Sequence, residues 1–369
     1  MKILHIAAFE GNIGDNASHM GFANILECVV GEYHIDRLEI RKAYKNYVKE
    51  DKLKFDNDFV KLANNYDLVV FGGGGFLDYW VEGSSNGTTI DIAEEFLDKI
   101  KTQVIITSVG CNPHKDVPEE NYNKFCKFLD FVKTKENIQI ALRNDGSVDS
   151  IQKDFGNSYL DGLVEILDHG YFYYPKEEYS LPIDDEYVAI NITDDQLSMN
   201  GGLSTDRDWY YQELEELLAG LVENKLKVVL VPHIHQDIEA IGTALSKISP
   251  QLVRNNTVIA PCLQGDKGTD LAFNTYKNSK LVIASRYHAN VCAIKFGIPT
   301  IGLSPLRRIE YTHKQLLSDD TNIHISPGFA KKILNNLTVL LEKKSDAKLN
   351  EMKKHTIDFY QTYFKRITS

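Results

Sequence analysis

Cysteine is scarce in this 369-residue chain: five residues, Cys28, Cys111, Cys126, Cys262 and Cys292, with no C-x-x-C pair among them. An odd number in that spacing indicates neither a disulfide framework nor a zinc site, and reduced thiols in a cytoplasmic protein are the expectation. Long apolar runs are missing too. No segment approaches the roughly 18 residues a membrane span needs. The first residues, Met1-Lys2-Ile3-Leu4-His5-Ile6, run straight into a strand without the apolar region of a signal peptide. Positive charge is in deficit: 41 Lys and Arg against 52 Asp and Glu leave a net charge of -11, and the pI is near 5.5. Phosphate backbones need a basic face, so nucleic acid is not an expected partner. A small anion is still admissible, because a few placed arginines outweigh the global field locally. Neither an internal repeat nor a low-complexity tract occurs. What remains is an ordinary globular composition, 43% hydrophobic and 25% charged, on a chain long enough for two domains with a core each.

The most informative stretch runs from Leu281 to Leu303. Leu281-Val282-Ile283-Ala284 is a continuous apolar run, as a strand buried on both faces requires. Ser285, Arg286, Tyr287 and His288 stand where that strand ends. Ala289 to Phe296 reads as a short helix closed by Gly297, and Pro299 leads into a second buried strand, Thr300 to Leu303. In open α/β sheets ligands lie beyond the carboxyl ends of the strands, which is where Arg286 and His288 fall. The plainer reading pairs Arg286 with a carboxylate and makes His288 a helix cap.

Other apolar runs end in the same manner. Ile3 to Ala7 is followed by Glu10-Gly11-Asn12-Ile13-Gly14-Asp15-Asn16-Ala17, a glycine turn that opens a helix to about Val30. Such a turn lets backbone N–H groups approach an anion, but the spacing is not the dinucleotide G-x-G-x-x-G. Asp67 to Phe71 is followed by Gly72-Gly73-Gly74-Gly75-Phe76-Leu77. Four glycines cost chain entropy and are kept where a ligand or another chain segment approaches the backbone. Gln103 to Thr107 exits through Ser108-Val109-Gly110. Ile138 to Leu142 exits through Arg143-Asn144-Asp145-Gly146-Ser147, with Ser147 as the expected N-cap of the next helix. A parallel sheet brings these exits to one rim. Arg143 is the permanent cation among them, and its alternative is a surface salt bridge with Asp145.

The rhythm breaks between Gly170 and Asp185, where Tyr171-Phe172-Tyr173-Tyr174-Pro175 precedes a charged, proline-bearing linker. The aromatic cluster is either a sugar platform or packing. A second βα series then starts at Tyr187 to Ile192, with a helix at Asp208 to Glu223 carrying Leu214, Leu217, Leu218 and Leu221 on one face. Lys227 to Val231 ends in Pro232-His233-Ile234-His235-Gln236-Asp237. Those groups crowd one turn without a remote third ligand, so His233 is expected to meet substrate hydroxyls or phosphate rather than a metal. Thr257 to Ala260 is a short strand and Thr269 to Asn278 a short helix. Beyond Leu303 come Arg307 and Arg308. The tail from Gly328 is helical and lysine-rich (Lys331, Lys332, Lys343, Lys344, Lys348, Lys353, Lys354, Lys365), either hugging an anionic membrane surface or packing back on the first domain. The expected division is 1–175, 186–330 and a C-terminal helical part, 331–369.

Five motifs in order carry a resemblance: Gly11-Asn12-Ile13-Gly14-Asp15-Asn16-Ala17, Gly72-Gly73-Gly74-Gly75-Phe76-Leu77, Ser108-Val109-Gly110, Arg143-Asn144-Asp145-Gly146-Ser147, and Ser285-Arg286-Tyr287-His288-Ala289 with Gly297-Ile298-Pro299-Thr300. Together they resemble the polysaccharide pyruvyl transferase family over residues 11 to about 311. The resemblance implies an α/β fold of two Rossmann-like domains facing each other across a cleft, as in the glycosyltransferase-B architecture. It implies transfer of the enolpyruvyl unit of phosphoenolpyruvate to two sugar hydroxyls, with a pyruvate ketal and phosphate as products. Arg143, Arg286 and His288 match the family's arginine and Arg-x-His pair and are the expected catalytic residues, the arginines clamping carboxylate and phosphate and His288 acting as general acid. Asn12, Asn16, Gly73, Gly74, Gly75, His233 and Arg308 are the expected substrate contacts. Arg308 stands where many members carry lysine, and Asp168-His169-Gly170 departs from the family's Asp-Pro. Neither a metal nor another cofactor is required beyond the phosphoenolpyruvate donor. The acceptor would be a lipid-linked or nucleotide-linked saccharide, met in the cytoplasm or peripherally at the inner membrane face, with an oligomer left open. Two rival readings are a nucleotide-sugar glycosyltransferase and a non-catalytic sugar- or anion-binding protein.

Overall fold

Strands buried on both faces read as unbroken apolar runs, and the two sheets of this protein are made of them. The computed structural model describes residues 1–183, 185–197, 207–342 and 346–368; Asp184, Lys343 and Lys344 of the linker and tail fall outside the described residues. The first sheet holds β1 (Lys2–Ala7), β2 (His34–Glu39), β3 (Leu68–Gly74), β4 (Gln103–Val109), β5 (Ile138–Arg143) and β6 (Val164–Ile166), in the order β2-β1-β3-β4-β5-β6. The second holds β7 (Tyr187–Asn191), β8 (Lys227–Leu230), β9 (Thr257–Ile259), β10 (Leu281–Ala284), β11 (Thr300–Ser304) and β12 (Asn322–His324), in the order β12-β11-β10-β7-β8-β9. Every pairing is parallel. The second order is the dinucleotide-fold winding and reverses between β7 and β10; the first is the flavodoxin-type winding extended by one strand and reverses between β1 and β3.

Three strands carry no apolar run: β2, β6 and β12, read as His-Ile-Asp-Arg-Leu-Glu, Val-Glu-Ile and Asn-Ile-His. All three lie at sheet edges. An edge strand is covered less completely, so its polar residues hide it from a hydrophobicity reading. The helix expected to start with a Ser147 cap starts instead at Ser147, and Gly146, at φ 89°, takes the cap position. The Ser147 hydroxyl is spent elsewhere, donating to Asp145 Oδ1 at 2.5 Å and accepting from the Cys111 N–H at 2.7 Å.

The chain divides into two compact units, Met1–Glu10 with Ser18–Tyr173 and Glu351–Ser369, and Gly11–Ala17 with Tyr174–Asn350. The turn Gly11–Ala17 thus groups with the second sheet, although it follows the first strand of the first. The tail is shared out as well. Phe329, Ala330, Ile333, Leu337 and Leu340 enter the second core, while Tyr360, Tyr363 and Phe364 enter the first beside Phe22 and Ile105. Tyr171 and Tyr173 are fully buried, so these rings pack the interior; Tyr174 is exposed. Among the described residues no helix is long and apolar enough to cross a membrane.

Two consequences are measurable. Ile283, fully buried in the central strand β10, is expected to cost about 2–5 kcal/mol when cut to alanine, read from urea unfolding. Burial pushes the His313 imidazole from 6.5 down to about 3. It pushes His19 and His169 down to about 4. Their folded values lie below the unfolded one, so the neutral rings contribute stability that is complete above pH 6.5 and lost as pH falls towards 4 and 3. Thermal melts should therefore be flat from neutral pH upward and drop most steeply below pH 6.5, with a shallower drop in His313→Gln.

Candidate functional site

In the second unit the order β10-β7-β8 sets three strand exits side by side. Arg286 follows β10, and its backbone N–H donates to Asn191 Oδ1 at 2.9 Å, at the end of β7. Asn191 Nδ2 in turn donates to the Val231 carbonyl at 3.0 Å, just past β8. The guanidinium is 9% exposed as a residue and crosses this rim to Asp237, in the first turn of helix His235–Lys247. Its Nε lies 2.9 Å from both carboxylate oxygens, and Nη2 donates to Oδ1 at 2.5 Å. Asp237 is completely buried. The same Nη2 donates to Asp195 Oδ1 at 3.0 Å, on a partly exposed side chain. Burial works against the charge of Arg286, but the hydrogen bonds and charge of Asp237 win and raise its pKa.

His233 completes this arrangement. Its backbone N–H donates to Asp237 Oδ2 at 2.8 Å, and its ring Nε2 shares a hydrogen bond of 2.7 Å with the Tyr276 hydroxyl. Burial, then the charges of Arg286 and His288, lower its pKa well below 6.5, so the ring is neutral. Asp237 is thus spent on a cation and a backbone amide, and His235 is exposed. Among the described residues no group of three His, Cys, Asp or Glu is arranged to hold a metal ion.

His288, half-buried, is the second residue of helix Tyr287–Lys295. Its imidazole occupies the space a side chain at Gly14 would need: a Cβ there would stand 2.2 Å from Nδ1. The turn that presents Gly14 is built by a reciprocal cap. Asn12 Oδ1 accepts from the N–H of Gly14 at 2.8 Å and of Asp15 at 3.2 Å, while Asp15 Oδ2 accepts from the N–H of Asn12 at 3.1 Å. Asn16 N–H closes the first turn on the Asn12 carbonyl at 3.1 Å, and Asn16 is buried. An Asn followed three residues later by an Asp is a legible capping signal. Arg308 is half-buried in the first turn of helix Arg307–Leu316, beyond the end of β11. From that helix His313 Nε2 meets Asn290 Oδ1 at 2.8 Å, and Asn290 Nδ2 donates to the Arg286 carbonyl at 2.9 Å. The arginine's backbone is therefore pinned at its N–H by the end of β7 and at its carbonyl by Asn290 of the helix that follows it.

The first unit has its own buried cation. Arg143 ends β5 at 2% exposure. Its Nε and Nη2 donate to Asp145 Oδ2 at 2.8 and 2.7 Å, and Nη1 to Asp168 Oδ2 at 3.4 Å. The pairing with Asp145 exists, then, but in the interior rather than at the surface. Asp168, in the turn Asp168-His169-Gly170, also accepts from the Gly170 N–H at 2.7 Å. The small-residue exits pack tightly here: a Cβ on Gly110 would lie 2.9 Å from Arg143 Nη2 and 3.2 Å from the Gly75 Cα. The room left by the missing side chains of Gly73, Gly74 and Gly75 is taken by Ser18, Phe76 and Asp78. Asp145 was read as the alternative partner of Arg143, two residues away, but Asp237 appeared only as a neighbour in a turn and Asp195 not at all; a carboxylate carries no signal of the distant arginine it meets.

Comparison with known proteins agrees with this layout. A family model described as polysaccharide pyruvyl transferase matches residues 12–306. A comparison with curated proteins finds no match. Among solved structures, UDP-GlcNAc 2-epimerase from Methanocaldococcus jannaschii aligns at 13% identity and TM-score 0.57, over 94% of each chain. A glycosyltransferase from Rickettsia africae ESF-5 aligns at 11% identity and TM-score 0.59, over 100% of this chain and 98% of its own. UDP-GlcNAc 2-epimerase from Neisseria meningitidis aligns at 12% identity and TM-score 0.57, over 99% and 100%. At these identities the likeness is one of fold, the two-sheet glycosyltransferase-B architecture.

The buried pair can be tested directly. Asp237→Ala leaves the guanidinium short of its main partner and should cost about 3–5 kcal/mol in urea unfolding. The double change Asp237→Leu with Arg286→Met should recover most of that loss, because two apolar groups need no partner.

Proposed function

The chain belongs to the polysaccharide pyruvyl transferase family, and we propose that its donor is phosphoenolpyruvate and its product a pyruvate ketal of a saccharide. The observation that carries this reading is a fixed guanidinium at a strand-order reversal, with a half-buried imidazole two residues on. Asp237 orients Arg286 from within, and Asp195 covers the outer Nη2 on a partly exposed side chain. An anionic group of the donor would take the place of Asp195 and gain a charge-assisted hydrogen bond from a guanidinium already aimed.

His288 would then protonate the methylene carbon of the enol. The carbon–carbon double bond supplies the electron pair, and the adjacent carbon becomes an oxocarbenium centre. One sugar hydroxyl attacks it, phosphate leaves with the C–O bonding pair, and a second hydroxyl closes the ketal. Of the two hydroxyl protons released, one replaces the proton that His288 gave to carbon and the other leaves on the phosphate. Histidine suits the task because it gives and regains a proton near neutral pH. Within the first unit, Arg143, held by Asp145 and Asp168, would be the cationic group, with Gly73, Gly74 and Gly75 as further contacts. Within the second, Asn12, Asn16, His233 and Arg308 would shape the surroundings of Arg286 and His288. Asn12 and His233 would do so through the groups they position, since their own polar atoms hold the Gly14 turn and Asp237.

Calorimetric titration with phosphoenolpyruvate and phosphate release over a panel of lipid-linked and nucleotide-linked saccharides test the proposal. Arg286→Lys keeps the charge but loses the fork and should weaken phosphoenolpyruvate binding about 100-fold. His288→Ala should bind it nearly normally and lose about 100- to 10,000-fold in phosphate release. Wild-type activity in both variants, or release of nucleotide from UDP-sugars with no use of phosphoenolpyruvate, would overturn the reading.

A further inference from the structure

Among the first unit's buried side-chain atoms that have no hydrogen-bond partner among the described residues are Nε2 of His5, Oγ of Ser18 and both ring nitrogens of His19. The residues are 2%, 2% and 5% exposed. They converge on one place. His5 lies near the end of β1, Ser18 and His19 on helix Ile13–Val29, and Gly72 and Gly73 at the end of β3, which pairs with β1. A Cβ on Gly72 would come within 3.2 Å of His5 Nε2, and one on Gly73 within 2.2 Å of Ser18 Oγ. The order of the sheet reverses between β1 and β3, the position where such sheets take their ligands.

The chemistry of the donor set narrows the ligand. Burial, then the neighbouring charges of His19, His169 and Arg37, hold the His5 ring neutral, and burial does the same for His19. A neutral imidazole offers one N–H and one acceptor nitrogen, and a serine hydroxyl both donates and accepts. The set carries no charge to hold an anion, and no metal-ligating group of three occurs among the described residues. Paired donors and acceptors without charge match vicinal hydroxyls. Apolar residues would fill this space at less cost, since each unmatched buried polar atom destabilises the fold. The half-buried Phe9 ring lies 5.2 Å from His5 and 4.9 Å from His19, with the Arg37 guanidinium 5.2 Å over its face. Since the four atoms are closed to solvent, a ligand enters only as the rings packed on them, Phe9 and Phe22 on His5 and Phe9 on His19, give way.

We propose that His5, Ser18 and His19, with the glycine exit of β3, form a recess that takes adjacent hydroxyls of a neutral saccharide. Its identification as the acceptor side rests on the transfer reading above. The test uses the full chain and four named probes: glucose, galactose, mannose and N-acetylglucosamine. Saturation-transfer NMR reports contact, and histidine ring nitrogen shifts report where. At least one probe should show transfer and move the His5 and His19 signals. His5→Phe and His19→Phe should weaken that binding about ten-fold or more, with a melting temperature equal to or above wild type. A merely structural role predicts the reverse: a lowered melting temperature with sugar binding untouched. That result overturns the proposal, as does the absence of contact with all four sugars. Phosphoenolpyruvate affinity, measured on the same samples, should be unchanged in both variants. Sugar contact at these rings in a protein that does not bind phosphoenolpyruvate would uphold the recess and remove the donor reading alone.

Discussion

A guanidinium at 9% exposure must be met on every side, and the second unit is arranged around meeting that of Arg286. Asp237 answers its charge, His233 and Tyr276 order the turn that carries Asp237, and Asn191 holds the backbone of Arg286 from the adjacent strand. Removing water from a charge is expensive, and such a pair gives back little net stability against well-packed apolar residues. What it provides is direction. The fork cannot rotate, so its outer edge points at one place, where the partly exposed Asp195 now sits.

The first unit repeats the device with different residues. Arg143 also ends a strand, is also buried, and is also answered by carboxylates, Asp145 two residues on and Asp168 past the next strand. Close packing of Gly75 and Gly110 around it explains why small residues follow β3 and β4. The two units wind their sheets differently, yet both keep polar side chains at the carboxyl ends of the strands and spend the sheet interior on Val, Ile and Leu. That division follows from parallel sheets being covered on both faces, which leaves their ends as the place for chemistry.

Much of this was legible in the sequence. The central strands showed as apolar runs, and their exits carried Arg143, Arg286, His288 and the glycines in a recognisable order. The edge strands β2, β6 and β12 were not legible, because an edge position tolerates Asp, Glu, Asn and His where a central one does not. Ser147 was misread as a cap because its hydroxyl answers Asp145 and Cys111 instead. His5 and His19 gave no sign at all. A histidine in a strand or helix reads as a surface residue until packing closes over it.

The sequence by itself determined the class of fold, the family and the addresses of the strand-end cations, since these depend on local periodicity and on residue types at fixed spacing. Only the tertiary structure decided their partners. Asp237 reaches Arg286 across 49 residues, Asp168 reaches Arg143 across 25, and Gly14 meets His288 from the far end of the chain. The physical reason is that strand order, not chain order, sets which exits are neighbours. Placing β7 between β10 and β8 makes a buried ion pair of two residues that nothing in their own segments connects.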